Sequence, residues 1–403
     1  MKPPAARAVE FWTMLLLATF VAGSISTANA QNSGGKGLQA IVAEMKPGVW
    51  AEIPNTQVAP LLAETDKLLN AYTRGYEGPQ GVFYDWNGSA YDSAGMRWFF
   101  WGGGHHGYGG NEVYEFNFNT LAWTRPTKPF ILTQGSDEIC PRPSQSDGPF
   151  SSHTYYAISY SPDSKSVWVW NQGGFSAGAF KSCPGDNELW EFNPEKAAWT
   201  GYQAMTPAHP SSQNQYPISA SFVDPKGGLI FMAPAGIWHV DTVAKSVKQI
   251  SGRTDNDLNF PGLAVCDGYV WTNNYGGLEQ ITPDFAKIAV LQAEAKAPRP
   301  FHLAYTAGML CDAAHQRLVF WQGKNDLIFY NIRAQSWAQY EAPGPAPTNA
   351  GAPVESKFIY VPQVGVVAGY DNIKEGVWLI KLPPPGQLTS ITVPTYQTPF
   401  RHE

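Results

Sequence analysis

The segments VYEFNFNTLAWT (113–124) and LWEFNPEKAAWT (189–200) are two copies of one pattern. In each copy an aromatic residue lies nine positions before a tryptophan and an asparagine lies six positions before it. An Asn side chain hydrogen-bonds backbone groups two residues further along the chain, which favours a tight turn. Each segment therefore predicts a β-hairpin, in which Asn117 or Asn193 opens the turn and Trp123 or Trp199 lies in the closing strand.

Weaker copies of this pattern recur along the chain, with Asn331 before Trp337, Asp241 before Val247 and Thr282 before Ile288. An apolar run precedes each copy, several of these runs end in glycine, and the turns before them are led by Asp92, Asp163, Asp224, Asp267 and Asp312. The repeating unit is strand, Asp turn, strand, Gly loop, strand, Asn or Asp turn, strand. Four antiparallel strands that recur at intervals of roughly 40–75 residues are typical of a β-propeller blade.

The closing positions predict the number of blades and the way the ring is sealed. Five blades end in a closing residue, and a sixth apolar run, 364–369, has no closing tryptophan after it. Residues 49–54 (VWAEIP) resemble a closing strand without a blade, so we expect them to pair with the C-terminal strands and to bury Trp50. We predict six blades, with seven as the alternative because the chain could hold seven units of about 50 residues. Residues 56–71 predict a short amphipathic helix on the outside.

The apolar strand, the double glycine and the aromatic residue nine positions before a tryptophan resemble the Kelch repeat over most of 81–381. Kelch units form β-propellers, so the resemblance implies the same all-β fold as the spacing: a six-bladed propeller of four-stranded antiparallel blades. The galactose oxidase catalytic domain is also a Kelch propeller, and this likeness would imply a copper-radical oxidase with a Tyr–His ligand pair. The sequence contains no Tyr–His dipeptide, which disfavours that activity.

Composition and the N-terminus limit the class of protein. Only 15% of the 403 residues are charged, which argues against a coiled coil, and a net charge of −6 without a basic stripe argues against a nucleic-acid partner. The first 30 residues predict a signal peptide that is cleaved before Gln31. They contain a basic start (Lys2 and Arg7), an apolar run (11–23) and a small-residue cleavage site (Ala28-Asn29-Ala30). The apolar run is too short to span a membrane. We expect a signal peptide (1–30), an N-terminal segment (31–45), the propeller (46–383), a C-terminal tail (384–403), and periplasmic or secreted location.

Strand alternation predicts that the Gly loops and the segments leading into each blade lie on one rim, around the channel mouth. The loop WGGGHHGYGGNE (101–112) brings His105, His106 and Tyr108 to this rim, where glycines let a ligand approach the backbone. These histidines also suit structural bonds between blades, and no third ligand stands at a useful spacing for a metal. We expect no metal and no cofactor.

Two further histidines occupy equivalent positions, since His153 lies ten residues before Asp163 and His302 ten before Asp312. In a six-bladed ring these blades face each other across the channel. Aromatic, amide and cationic side chains expected on the same rim suit a sugar, another polar ligand or a protein partner. The candidate ligand-binding residues are Tyr84, Trp86, Asn171, Tyr216, Arg253, Asn274, Tyr275, Arg299, His302, Lys324 and Tyr370.

Fold and residue types are similar to those of propeller polysaccharide lyases, which perform β-elimination beside a uronate. Histidine supplies a base with a pKa near neutrality, and tyrosine can supply the acid. His105, His106, His153, Tyr108 and Tyr155 are the candidate catalytic residues, with Arg253 or Arg299 on the substrate carboxylate. The alternative is a propeller that binds a glycan or a protein without catalysis, because a fold does not imply a function.

The four cysteines fall into two pairs. Cys140 and Cys183 lie in neighbouring polar insertions, and in an exported protein we predict a disulfide between them. Cys266 and Cys311 each lie one residue before an equivalent turn aspartate of adjacent blades. We expect them to be two buried thiols, with a bridge between the blades as the alternative.

Overall fold

The fold is seen in a computed structural model, which describes residues 36–103, 107–132, 148–170, 188–202, 220–233, 236–251, 262–274, 277–282, 284–285, 288–292, 307–349 and 353–391. Strands dominate these residues and form six antiparallel sheets. Each sheet is one blade of a β-propeller, so the prediction of six blades is confirmed and the alternative of seven is wrong. Blades 1 to 4 have four strands in sequence order, whereas blades 5 and 6 each include a strand from elsewhere in the chain.

The first three blades follow one another along the chain. Blade 1 contains β2 (Ser89–Asp92), β3 (Arg97–Phe100), β4 (Tyr114–Asn117) and β5 (Ala122–Thr124). Blade 2 contains β6 (Ile158–Ser161), β7 (Ser166–Trp170), β8 (Leu189–Asn193) and β9 (Ala198–Tyr202). Blade 3 contains β10 (Ala220–Val223), β11 (Leu229–Ala233), β12 (Gly236–Asp241) and β13 (Ser246–Ser251).

The last three blades include both ends of the described chain. Blade 4 contains β14 (Gly262–Cys266), β15 (Tyr269–Asn274), β16 (Gly277–Ile281) and β17 (Ile288–Gln292). Blade 5 contains β18 (Gly308–Asp312), β19 (Arg317–Trp321), β20 (Asp326–Asn331) and β21 (Ser336–Glu341), and β25 (Thr389–Ile391) adds a fifth strand at its outer edge. Blade 6 contains β22 (Phe358–Val361), β23 (Val366–Gly369), β24 (Trp378–Ile380) and, as its outermost strand, β1 (Trp50–Glu52).

The N-terminal strand closes the ring as expected. β1 pairs antiparallel with β24, with Trp50 opposite Ile380 and Glu52 opposite Trp378. Trp50 is buried, and its ring centroid lies 5.3 Å from that of Trp321 in blade 5. Because the strand comes from one end of the chain and its blade from the other, this pairing holds the first and last blades together.

The strand directions define two rims. The loop rim carries the loops between the second and third strands and the segments that lead into each blade, whereas the turn rim carries the short Asp and Asn turns. The turns form for the expected reason: Asn117 Oδ1 accepts a hydrogen bond of 2.8 Å from Asn119 N, and Asn331 Oδ1 accepts one of 2.8 Å from Ala334 N. The closing residues Trp123, Trp199 and Trp337 are buried between strands.

Helices cover both rims where blades 6 and 1 meet. α1 (Leu38–Glu44) precedes β1 on the turn rim and buries Leu38 and Val42. On the loop rim follow α2 (Ala59–Asp66), α3 (Ala71–Arg74), a short 3-10 helix (Gly78–Gln80) and α4 (Gly81–Tyr84). α2 lies within the 56–71 segment expected to be helical. None of the helices in the described ranges has the length and apolar character needed to traverse a bilayer.

A disulfide joins Cys266 and Cys311, so the expectation of two buried thiols is wrong. The two residues lie in β14 and β18, the innermost strands of blades 4 and 5, and their Cα atoms are 5.4 Å apart. Equivalent positions of neighbouring innermost strands are close because these strands converge on the channel. The predicted Cys140–Cys183 bridge lies outside the described residues.

Candidate functional site

The segments leading into blades 1 and 2 are joined by hydrogen bonds on the loop rim. Tyr155 N donates to Trp86 O at 2.9 Å, and Gly88 N donates to Thr154 Oγ1 at 2.8 Å. Thr154 N also donates to the side-chain oxygen of Asn87 at 3.2 Å. The side chains around these segments are therefore held by two blades at once.

The glycine-rich loop packs against these segments at positions where no side chain would fit. Gly102 and Gly103 have φ values of 140° and 149°, which only glycine adopts readily. A Cβ atom on Gly102 would meet the Asn87 side chain, and one on Gly103 would meet Ser151 Oγ. The loop thus brings the backbone of blade 1 into contact with the segment leading into blade 2.

Trp86, His153 and Tyr155 form an aromatic cluster on this rim, here called the Trp–His–Tyr cluster. Trp86 is 40% exposed, and its ring lies 5.3 Å from the ring of His153, centroid to centroid. His153 Nδ1 is 3.2 Å from Tyr155 OH, a hydrogen bond in which either group can donate, depending on the imidazole tautomer. The cluster offers an exposed indole face beside an imidazole–phenol pair.

Two of the three residues of the cluster have a positive φ. Trp86 has φ 42° and Tyr155 has φ 47°, in the left-handed region that bulky side chains rarely adopt. Strain of this kind persists only where the surrounding structure enforces it, and it gathers at binding and catalytic sites. Here the hydrogen bond between Tyr155 N and Trp86 O joins the two strained residues directly.

Tyr108, a candidate acid, faces the interior. Its hydroxyl donates to Glu112, with distances of 2.8 and 2.9 Å to the two carboxylate oxygens, and Tyr114 OH donates to the same carboxylate at 2.7 Å. All three side chains are buried. Burial raises the pKa of Glu112 and holds the pKa of Tyr108 well above its usual value. These hydrogen bonds fix Tyr108 and the glycine-rich loop to the interior of blade 1. Tyr155 is therefore the described candidate acid whose hydroxyl is hydrogen-bonded to a histidine.

A buried lysine lies behind the cluster, where blade 6 meets blade 1. The side chain of Lys357 is inaccessible to solvent, and its Nζ donates to Asn87 O at 2.5 Å. The carboxylates of Asp85, Glu355 and Asp371 are also buried and act on Lys357 electrostatically. We call these four residues the Lys357 group.

Desolvation controls the charges of the Lys357 group. It lowers the pKa of Lys357 and raises the pKa values of Asp85 and Glu355, because burial penalises the charged form of each. It also raises the pKa of Asp371 to about 7, with a further contribution from Glu375. Neither oxygen of Asp371 has a hydrogen bond within the described part of the chain. The group therefore holds an ammonium among carboxyls that are readily protonated.

Other predicted site residues lie apart from the cluster. Tyr84 OH accepts a hydrogen bond of 3.2 Å from Ile373 N, and the Tyr370 ring is fully buried 5.1 Å from that of Trp123. Lys324 is exposed on the blade 5 loop, and Asn274 ends β15. The predicted residues outside the described ranges are His105, His106, Asn171, Tyr216, Arg253, Tyr275, Arg299 and His302, together with Cys140 and Cys183.

Sequence reasoning missed Asp85, Glu355 and Lys357. The available signal was local: Lys357 directly precedes the apolar strand Phe358–Val361, a position where a charged side chain has little access to water. Their convergence depends on contacts between the two ends of the chain, such as Lys357 with Asn87, and a local pattern does not contain such contacts.

Comparison with known proteins gives distant structural likeness only. No family model matches the chain, and no curated protein matches it in sequence. It is similar to the extracellular domain of a protein from B. thetaiotaomicron assigned to the hybrid two-component systems, at 12% identity and TM-score 0.41, over 74% of this chain and 40% of that one. The chain thus spans about two-fifths of that protein's length.

A second likeness is to regucalcin, a calcium-binding protein from Agrobacterium tumefaciens, at 13% identity and TM-score 0.41 over 77% of this chain and 93% of that one. A third is to the extracellular domain of a protein from B. thetaiotaomicron assigned to the one-component systems, at 11% identity and TM-score 0.33, over 72% of this chain and 32% of that one. Similarity at this level leaves function to be argued from the site itself.

Proposed function

We propose that the chain is an exported propeller that binds a glycan-like ligand on the loop rim, at the Trp–His–Tyr cluster. The observation that carries the proposal is the exposed indole of Trp86 against His153, in a backbone held at positive φ. A flat indole face suits a sugar ring, because it combines an apolar surface with a polar edge. The imidazole and phenol beside it supply hydrogen bonds to hydroxyl groups.

Export is the second part of the proposal. The Cys266–Cys311 disulfide supports it, since such bonds persist in oxidising compartments and are rare in the cytosol. The Lys2-to-Ala30 pattern supplies the signal. N-terminal sequencing of protein recovered from the periplasm or medium tests this part, and we expect the mature chain to begin at Gln31.

Binding is tested with a panel of soluble polysaccharides, neutral and uronate-containing, by affinity electrophoresis of the mature protein. We expect Trp86→Ala to abolish retardation by the ligand that the parent protein binds. The matched control is Tyr360→Ala, because Tyr360 is also an exposed aromatic residue (47%) but lies in β22 near the turn rim. Equal retardation of the parent protein and Trp86→Ala by every binding polysaccharide would place the glycan site elsewhere.

Catalysis by β-elimination is the finer form of the proposal. In that reaction a base removes the proton at C5 of a uronate, the C4–O bond breaks with proton donation to the leaving oxygen, and a C4=C5 double bond forms. In this proposal His153 is the base and Tyr155 the acid, and the hydrogen bond between them supports the assignment because it would provide a path to restore the two protonation states after turnover. His105 and His106 remain predicted alternatives for the base, and Arg253 or Arg299 for the partner of the carboxylate.

Absorbance at 235 nm from the unsaturated uronate measures this activity. We expect Tyr155→Phe to lose turnover but to keep binding, because it removes one hydroxyl and retains the ring. Non-catalytic binding is favoured by one observation, the burial of Tyr155, which is only 7% exposed. Binding that depends on Trp86 without any 235 nm absorbance on uronate-containing polymers would assign the chain to that alternative.

A further inference from the structure

A cleft of about 670 Å³ lies between blades 3 and 4, on the turn rim and away from the Trp–His–Tyr cluster. We call it the blade 3–4 cleft. Its apolar lining comes from both blades: Phe222, Ile230 and Ile250 on one side, and Val265, Tyr269 and Val270 on the other. The volume is within the roughly 300–1,000 Å³ of ordinary small-molecule sites.

The cleft exists because the described residues of blade 4 cover only part of one row of blade 3 side chains, with Phe285 packed against Phe222 at 6.5 Å between ring centroids. Register places Phe222, Ile230, His239 and Lys248 side by side across the four strands of blade 3. Ile230 is buried, but Lys248 and the nearby Ile250 are exposed. No residue that the structure describes therefore covers the outer half of this row.

The equivalent row of blade 2 shows how a neighbouring interface fills the same space. There Trp168 and Glu191 occupy the positions of Ile230 and His239. Lys245 of blade 3 lies over the Trp168 ring, 4.6 Å from its centroid, and its Nζ is 2.7 Å from Glu191 Oε2. Tyr202 stacks on the same Trp168 ring at 5.4 Å. The blade 2–3 interface is thus closed by a cation and an aromatic ring, whereas the described residues of blade 4 leave Lys248 and Ile250 of the corresponding blade 3 face exposed.

Charge distinguishes the cleft from an ordinary apolar groove. Lys226 and Lys248 lie at its edge, and neither ammonium makes an ion pair with any residue that the structure describes. The lining also contains two carboxylates, and both have partners: Asp224 Oδ2 is 3.6 Å from His239 Nε2, and Asp284 Oδ1 accepts a hydrogen bond of 2.6 Å from Thr282 Oγ1. The two ammonium groups, in contrast, have no acidic partner among the described residues. They favour an anionic group at the mouth of the cleft.

The apolar walls specify the remainder of the ligand. Ile250, Val265 and Tyr269 are 38%, 38% and 36% exposed, so three large apolar side chains are in contact with water at one place. Water-exposed apolar side chains gathered in a concave surface mark a binding site rather than a random surface. A ligand with an apolar body would cover them and gain the hydrophobic contribution.

We propose that the blade 3–4 cleft is a second binding site, for a small amphiphilic carboxylate with an aromatic or branched apolar body. The carboxylate lies between Lys226 and Lys248, and the apolar body packs against Ile250, Val265 and Tyr269. This site is separate from the glycan site and does not depend on it.

The test uses the fluorescence of 8-anilinonaphthalene-1-sulfonate, an anionic aromatic dye, with the folded mature protein. We expect one saturable site. Lys248→Glu raises the dissociation constant at least about tenfold, because it replaces an attraction by a repulsion, and Ile250→Glu has a similar effect. Lys196→Glu is the matched control: it makes the same charge change at an exposed turn-rim position of blade 2, and we expect a change of less than about twofold. Trp86→Ala leaves dye binding unchanged.

Competition defines the ligand class. We expect 4-phenylbutyrate to displace the dye at least about tenfold better than 4-phenylbutanol, and 4-phenylbutylamine to be the weakest, since all three share one apolar body. Circular dichroism melting shows that each variant is folded. Equal dye affinity in Lys248→Glu and the parent protein, or equal competition by the amine and the carboxylate, would overturn the proposal. Loss of dye binding in Trp86→Ala would move the site to the loop rim.

Discussion

Removing the Cys266–Cys311 disulfide should destabilise the propeller by a predictable amount. The bond closes a loop with a sequence separation of 45 residues. The loop-entropy relation for a chain of that length gives a loss of about 4 kcal/mol in the free energy of unfolding. With an unfolding entropy of ~2.1 cal/mol/K per residue, the predicted mature chain of 373 residues (31–403) would melt about 5 °C lower.

The experiment needs a background in which this bond acts alone. The chain has four cysteines, so Cys140→Ala with Cys183→Ala leaves only this pair. Differential scanning calorimetry then compares this protein with a variant that also carries Cys266→Ala and Cys311→Ala. We expect the second protein to melt about 5 °C lower, and we expect reductant to lower the melting temperature of the first protein only.

Two results would refute the reasoning. One is a melting temperature that is the same in both proteins, which would show that the ring constrains blades 4 and 5 without the bond. The other is the recovery of Cys266 and Cys311 as free thiols in peptide maps of protein purified without reductant.

Three further predictions concern the ring closure, the Lys357 group and the second cysteine pair. Trp50→Ala should cost about 3–5 kcal/mol of stability, the usual range for a buried aromatic residue, and an unchanged urea midpoint would contradict closure by β1. Because the pKa of Asp371 is raised to about 7 in the folded state, its contribution is present at pH 4 and lost as the pH rises through 7. Asp371→Asn should therefore flatten the decrease in melting temperature between pH 4 and 8, and a parallel decrease in both proteins would show that Asp371 does not titrate there. Mass spectrometry of non-reduced peptides should find Cys140 linked to Cys183, and free thiols at both positions would exclude that bond.

The sequence predicts the fold well because each turn is a local event. Asn117 and Asn331 organise their own turns with neighbouring backbone groups, so spacing alone locates the hairpins. The edge strand 49–54 was identified by its similarity to the closing strands, and its pairing followed from the one blade that lacked such a strand. β25 was not predicted, because it pairs with β21 of blade 5. Blade 5 already has its four repeat strands, so the repeat pattern gave no reason to expect a fifth.

The site was predicted less completely because it lies on loops. Side chains alternate between the two faces of a strand, but in a loop no regular pattern tells which way a side chain points. The sequence placed Tyr108 and Tyr155 equally near the channel mouth, but Tyr108 turns inward to Glu112 while Tyr155 pairs with His153. The bond between Cys266 and Cys311 was also not predictable from sequence spacing alone. Equivalent positions in adjacent blades were evident from the repeat, but the 5.4 Å between their Cα atoms depends on how closely the innermost strands approach the axis.

The closure of the ring also has a consequence for synthesis. Glu52 accepts a hydrogen bond from Gly376 N, a residue 324 positions later in the chain. A chain that emerges N-terminus first therefore presents β1 long before its partner β24 exists, and β1 is an unpaired edge throughout that interval. The first strand of the described residues is then among the last to pair. If the chain is exported as proposed, a chaperone that covers Trp50 until blade 6 has crossed the membrane would protect this unpaired strand from aggregation.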